Sequence, residues 1–129
     1  MTEKKGSEEE ELEGLEQSIQ LFGEEHVRMR MRMFDRYGPE VGEIFRNLSY
    51  RGLYARKVLD LRTRQLCTVS ALTVLNALPQ LKTHVKAALR VGATQDEVKE
   101  AIIQMVTYCG SYKVAEAFKV YEGIIAELK

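Results

Sequence analysis

The stretch Leu59–Val91, LDLRTRQLCTVSALTVLNALPQLKTHVKAALRV, constrains the fold more than any other part of the chain. From Leu61 to about Asn76 it runs almost without interruption through apolar or small residues, and Asp60 before it suits a helix N-cap. Pro79 fits the first turn of a following helix, so the stretch reads as a buried helix, a tight corner and an amphipathic helix. In the second helix Leu81, Val85, Ala88 and Leu89 recur at spacings of three and four. His84 falls on that same face beside Leu81 and Ala88, which holds an imidazole against the core.

The other segments repeat the helical period. Leu12, Leu15, Ile19 and Phe22 form a thin apolar seam from Glu8 to Phe22 in a glutamate-rich background, closed by Gly23. Glu24 to Arg36 follows; its Met29, Met31 and Met33 alternate with arginines, but Val27, Met31 and Phe34 keep helical spacing and no turn residues favour a hairpin. Tyr37-Gly38-Pro39 is punctuation, and Val41, Ile44, Phe45 and Leu48 make the next stripe. Asn47 to Lys57 reads as a connection anchored by Leu53 and Tyr54. Gly92 is placed as a C′ glycine and Thr94-x-x-Glu97 as a capping box. Val98, Ala101, Ile102, Met105, Val106 and Cys109 then form a stripe that Gly110 breaks, before a last helix from about Tyr112 to Leu128. No strand period and no repeat stands out, so the expected class is all-α, with about six or seven helices.

Length and charge bound the function. A chain of 129 residues, 45% hydrophobic, suits a single domain spanning 1–129 with an acidic N-terminal segment over 1–23. No segment is long and uncharged enough to span a bilayer, and the opening MTEKKGSEEEELEG has no signal-like apolar run. A cytoplasmic protein with no membrane association is expected. Residues 28–64 carry ten basic groups against four acidic ones, but the arginines alternate with core-type residues and lack an aromatic stacking platform, so no nucleic-acid partner is expected. The two cysteines, Cys67 and Cys109, lie far apart within apolar helical patterns and read as buried free thiols. Neither a disulfide framework nor a zinc cluster is indicated, and no metal is expected.

His84 is the first chemical candidate. On an apolar helical face its pKa can be tuned to neutrality for proton transfer, although the same placement also suits a core histidine that is simply hydrogen-bonded. His26, among Glu24, Glu25 and Arg28, has no such setting. Arg62 and Arg64 fall in the first turn of the central helix, where positive charge opposes the helix dipole unless Asp60 or an anionic ligand compensates. Guanidinium suits a carboxylate through paired hydrogen bonds.

Several motifs agree in order: LDLRTRxL from Leu59, LxxHVxxAL from Leu81, GATxxEVxEAIxQ from Gly92 to Gln104, and Tyr108-Cys109-Gly110. Over roughly Tyr50 to Leu128 the chain resembles the gamma-carboxymuconolactone decarboxylase branch of the alkylhydroperoxidase D-like superfamily. The resemblance implies an orthogonal helical bundle around a helical hairpin. It also implies cofactor-free decarboxylation of a small anionic substrate, 4-carboxymuconolactone to 3-oxoadipate enol-lactone, with His84 as proton donor. Arg56 stands where the family places an arginine before its GLD or VLD segment; Arg56, then Arg62 and Arg64, and Tyr108 are the implied substrate-binding residues.

Departures from the pattern bear on chemistry. Matching the histidines puts Gln65 at the position of the redox members' Glu, and Ala77 and Gln80 at their C-x-x-C cysteines, so that thiol chemistry is missing. Gln65 can hydrogen-bond but cannot relay a proton as a carboxylate does. Tyr112 and Lys113 replace the family's Pro and Ala, and Arg51-Gly52 a Gly-Asp pair, which points to a reshaped substrate pocket. A peroxidase-like protein using a single thiol and a noncatalytic homo-oligomeric binding protein on this scaffold are the alternative readings. The seam of Leu12, Leu15, Ile19 and Phe22 is too narrow for a fully buried helix and too regular for a free one, so a homo-oligomer is expected; the family resemblance implies trimers or hexamers. Sedimentation at micromolar concentration should therefore show an assembly larger than a monomer.

Overall fold

The computed structural model describes residues 15–129, all helices and connections with no strand among them. The chain divides after Leu59 into two compact units. Leu12 and the rest of 1–14 lie outside the described residues.

The N-terminal unit contains α1 (Glu16–Phe22), α2 (Glu24–Asp35), α3 (Pro39–Phe45) and a π-helical segment, Arg46–Leu53. Gly23 and Gly38 separate the helices at positive φ, and Pro39 opens α3 as its position suggests. The core of this unit is aromatic. Phe34 stacks on Phe45 with centroids 4.2 Å apart, Phe45 meets Tyr50 edge-on at 5.0 Å, and Tyr54 lies between Tyr50 and Phe22. Burial pushes the Tyr50 phenol up to about 12.

Three expectations are corrected here. The segment read as a connection is helical as far as Leu53, because the Tyr54 N–H reaches back five residues to the Ser49 carbonyl at 3.0 Å. Gly52 permits that wide turn, since a Cβ there would collide with the Asn47 carbonyl oxygen. The stripe Val41, Ile44, Leu48 faces outward instead of inward, with Ile44 66% and Leu48 72% exposed. The inward positions are Gly42, Phe45 and Tyr50, set by the Phe34 stack and by the half-buried Arg46, which pairs with Asp35 and Glu43. The third concerns the N-terminal seam, whose described part is covered within its own chain: Leu15 is fully buried, and Ile19 and Phe22 are half-buried.

The C-terminal unit contains α4 (Leu61–Leu75), α5 (Leu78–Arg90), α6 (Gln95–Ile103), α7 (Val106–Cys109) and α8 (Ser111–Leu128). Its boundaries follow the local signals. Asp60 accepts from the Thr63 N–H at 2.7 Å and caps α4, and Asn76 ends that helix in the left-handed region. Ala93 N–H bonds the Ala88 carbonyl and Gly92 N–H that of Leu89, the paired closure that a C′ glycine allows after α5. Thr94 and Glu97 form the reciprocal capping box of α6. Leu81, Val85, Ala88, Val98, Ile102, Val114, Ala117, Tyr121 and Ile124 make the core, with Val69 from α4. Val106 is left at the surface because the helix expected through Cys109 breaks at Gln104 and Met105.

Helix α4 is not the wholly buried helix its composition suggests. Its inward stripe is Gln65, Val69 and Thr73, with Ser70 beside it, whereas Cys67, Ala71 and Leu75 face outward and Leu75 is 70% exposed. The buried hydroxyls are satisfied locally: Thr73 donates to the Val69 carbonyl, and Ser70 donates to the Ala101 carbonyl at 2.7 Å while accepting from Gln104. Cys67 is therefore an exposed thiol and Cys109 a half-buried one.

Two outcomes are expected from this packing. Leu81→Ala, at a fully buried position, should lower stability to urea by about 2–5 kcal/mol, whereas Cys67→Ala should stay within about 0.5 kcal/mol of the parent. Acid should also destabilise this unit. The Thr94 backbone N–H first, and the Arg62 guanidinium with it, hold the Glu97 carboxyl below the usual range, and the Thr63 N–H does the same for Asp60. A carboxyl whose folded pKa is depressed stabilises above its unfolded pKa and loses that contribution as pH falls through the folded one, here below about pH 4. Glu97→Gln should flatten this acid limb in urea titrations from about pH 6 to about pH 2.

Candidate functional site

The site is built where α4 and α5 meet. Asp60 fixes the start of α4, which places Gln65 at the inward position one turn in, with no exposed surface. At the far end Asn76 turns the chain, Ala77 N–H bonds the Leu72 carbonyl, and Pro79 starts α5 in its first turn. Helix α5 packs along α4 with Leu81, Val85 and Ala88 buried, and the same face carries His84, half-buried. Two residues 19 apart in sequence thus become partners: His84 Nδ1 lies 2.8 Å from Gln65 Oε1.

That contact defines the imidazole. An amide oxygen can only accept, so with Oε1 turned to the ring this contact calls for a proton on Nδ1, and gain or loss of a proton by the ring would then fall on Nε2. Neutral His84 then offers Nε2 as a base, and its imidazolium offers an Nε2–H acid. Gln65 is left with its amide nitrogen, a buried double donor with no acceptor among the described residues. The site therefore pairs a titratable nitrogen with an unspent N–H donor in a setting of low polarity.

The implied carboxylate binders fall in different places. Arg62, in the first turn of α4, forms an ion pair with Glu97 of α6, so Glu97 and not Asp60 is its hydrogen-bonded carboxylate. Both side chains are more than one-third exposed, at 38% and 37%, so solvent screens the pair and its contribution to stability is small. Arg64 is half-buried in the same turn, next to Gln65 in the chain. Arg56 belongs to the N-terminal unit, at the surface, with its N–H on the Leu53 carbonyl at 3.1 Å. Tyr108 on α7 is 77% exposed.

The residues that depart from the family pattern have definite roles or positions. Lys113, in place of an alanine, donates to the Val74 carbonyl at 3.0 Å and so closes the C-terminal turn of α4, where cations are favoured. Tyr112 is exposed. Ala77 caps α5 and Gln80 points outward from its first turn. The polar bridge from Ser70 to Gln104 and Ala101 cannot be read from sequence, since serine within an apolar helical run carries no sign of which helix it will meet. Gln65 is legible there only as a substituted position.

Among the described residues no cluster of three or more His, Cys, Asp or Glu could hold a metal, and no helix is long and apolar enough to cross a membrane. His26, in the N-terminal unit, is half-buried with its ring centroid 5.5 Å from that of Phe22.

Comparison with known proteins places these motifs. The carboxymuconolactone decarboxylase family model matches residues 39–123. The chain is 33% identical over 99 residues to an uncharacterized 15.0 kDa protein of the nqo9–nqo10 intergenic region of Paracoccus denitrificans, covering 75% of this chain and 74% of that one. It is 26% identical to a 4-carboxymuconolactone decarboxylase of Acinetobacter baylyi, across 90% of this chain and 87% of the other. A nitrosuccinic acid decarboxylase of Metarhizium robertsii is 25% identical, across 90% and 81%. The motifs in order, the all-helical fold and the family match over most of its length together establish that this chain belongs to the carboxymuconolactone decarboxylase family.

Proposed function

We propose that the protein is a decarboxylase of a small carboxylated lactone, with 4-carboxymuconolactone as the first substrate to test and His84 as the proton donor. The observation that supports this reading is the 2.8 Å contact of His84 Nδ1 with Gln65 Oε1, which orients the imidazole in a chain of this family. The reaction asks for little else. The bond from a ring carbon to the leaving carboxylate breaks, its electron pair delocalises through the ring double bond onto the lactone carbonyl, and carbon dioxide departs. The lactone is its own electron sink, so the protein has to hold the second carboxylate, stabilise the dienolate and protonate carbon. The imidazolium of His84 gives up its Nε2–H in that last step and recovers a proton from water. The apolar neighbours on α5 exclude solvent and strengthen the charge interactions made there.

Arg56 is our first choice for the second carboxylate, with Arg62 and Arg64 as alternatives; the ion pair of Arg62 to Glu97 leaves other donors of its fork available. Tyr108 is the remaining substrate-binding candidate. Assembly of identical copies is part of the same reading. Its support is the outward apolar face formed by Val41 and Ile44 of α3 and Leu48 of the π-helical segment, and that of α4, Cys67, Ala71 and Leu75, in place of the N-terminal seam. Cys67, expected from its apolar setting to be a buried thiol, is exposed, so a Cys67→Ser variant is the control that separates a peroxidase from a decarboxylase.

Purified protein should turn over 4-carboxymuconolactone, followed by loss of substrate and release of carbon dioxide. His84→Ala should lower kcat by roughly 10²–10⁴ with the fold intact by circular dichroism. Arg56→Ala should mainly raise KM, because a carboxylate clamp acts alike in ground and transition states. No turnover of any lactone acid would sink the decarboxylase reading; turnover with a fully active His84→Ala would sink only the proton-donor role.

A further inference from the structure

Gln65 is a neutral amide whose oxygen lies beside Nδ1 of the His84 imidazole. Its two ends are used unequally. Oε1 takes the Nδ1–H of His84 at 2.8 Å, whereas Nε2, on the same planar group and without exposed surface, meets no acceptor among the described residues. A buried donor left without an acceptor is costly, and native chains retain one mainly where another group completes it. Rotating the amide would not resolve this: Nε2 would then face His84 and Oε1 would become the buried group in need of a donor. The arrangement of minimum cost has Oε1 on the ring and an acceptor oxygen supplied to Nε2 from outside the protein.

We propose that Gln65 is a bifunctional positioning and binding residue: its Oε1 fixes His84 as the Nδ1–H tautomer, and its Nε2–H donates to an anionic oxygen of the ligand beside the imidazole. The class of ligand follows from the donor set. An amide N–H next to a ring nitrogen that carries or delivers a proton favours a carboxylate or an enolate oxygen and has nothing to offer a cation. A glutamate at this position could also hold Nδ1–H, but it would place a negative charge where the ligand oxygen must sit. Glutamine keeps the tautomer and adds the donor. The choice of an anionic oxygen rests on the decarboxylase reading above; the tautomer assignment does not.

Nuclear magnetic resonance of the full chain, labelled with ¹⁵N, separates the two parts. Long-range ¹H–¹⁵N spectra report which ring nitrogen of neutral histidine bears the proton, with His84→Ala assigning the His84 signals against His26. The wild type should show His84 protonated at Nδ1. Gln65→Leu should return it toward the Nε2–H form that free histidine favours, and Gln65→Glu should retain Nδ1–H. The stable saturated lactone acid 5-oxotetrahydrofuran-3-carboxylate serves as the ligand probe. Its addition should shift the Gln65 side-chain amide resonances, and Gln65→Glu should weaken its binding by about tenfold or more although the tautomer is unchanged. His84 protonated at Nε2 in the wild type overturns the proposal, and so does equal affinity of Gln65→Glu and wild type for the probe. A wild type that holds Nδ1–H yet neither binds this probe nor turns over lactone acids upholds the tautomer assignment and overturns the choice of ligand together with the decarboxylase reading.

Discussion

Helix α4 packs against α5, α6 and α8, so one inward face has to satisfy three neighbours at once. That demand explains an inversion in its composition. The residues facing in are Gln65, Val69, Ser70 and Thr73, small or polar, whereas Cys67, Ala71 and Leu75 face out. Small residues let helices approach closely, and hydroxyls can return their hydrogen bonds to a nearby carbonyl, as Thr73 does to Val69 and Ser70 to Ala101. Only Gln65 is too long to be satisfied that way. Its amide oxygen is used across the helix pair, on His84.

The chemistry of the site follows from this geometry. A histidine on an apolar face can be a spectator, and what distinguishes His84 is a partner able to accept but not to exchange a proton. A carboxylate there would attract the imidazolium and share its proton; an amide orients the ring and leaves the charge on it. Glutamine at this position therefore orients the ring without setting a second acidic group beside it. Arg62 shows the complementary principle, because its ion pair with Glu97 ties the first turn of α4 to the capping box of α6 and so couples the start of the site helix to its neighbour.

The N-terminal unit is built differently. Its core is a run of aromatic rings from Phe34 through Phe45 and Tyr50 to Tyr54 and Phe22, and its last turn is π-helical, closed by the Tyr54 N–H on Ser49. One extra residue per turn shifts every later side chain around the helix axis. That shift brings Tyr50 and Tyr54 inward and accommodates a glycine, Gly52, against the Asn47 carbonyl.

Much of the architecture is legible in the sequence, because helix ends are decided by contacts within a few residues. Asp60, Gly92, the Thr94–Glu97 box, Pro39 and Pro79 each act on their own turn, and each sits where its chemistry suggests. The stripe of α5 is legible for a related reason: with polar residues on one side and apolar on the other, only one face could be buried. In α4 nearly every residue could face either way, and for α3 the aromatic stack outweighs the aliphatic stripe, so the inward face is decided by partners distant in sequence. The 47–57 segment escapes a local reading because a π-turn depends on where two tyrosines find their burial. His84 is legible as a candidate, and Gln65 as a substituted position. That they form one unit is decided only in the tertiary structure, since nothing local to either residue specifies a bond across 19 positions; the corner at Asn76 and the packing of α5 on α4 do.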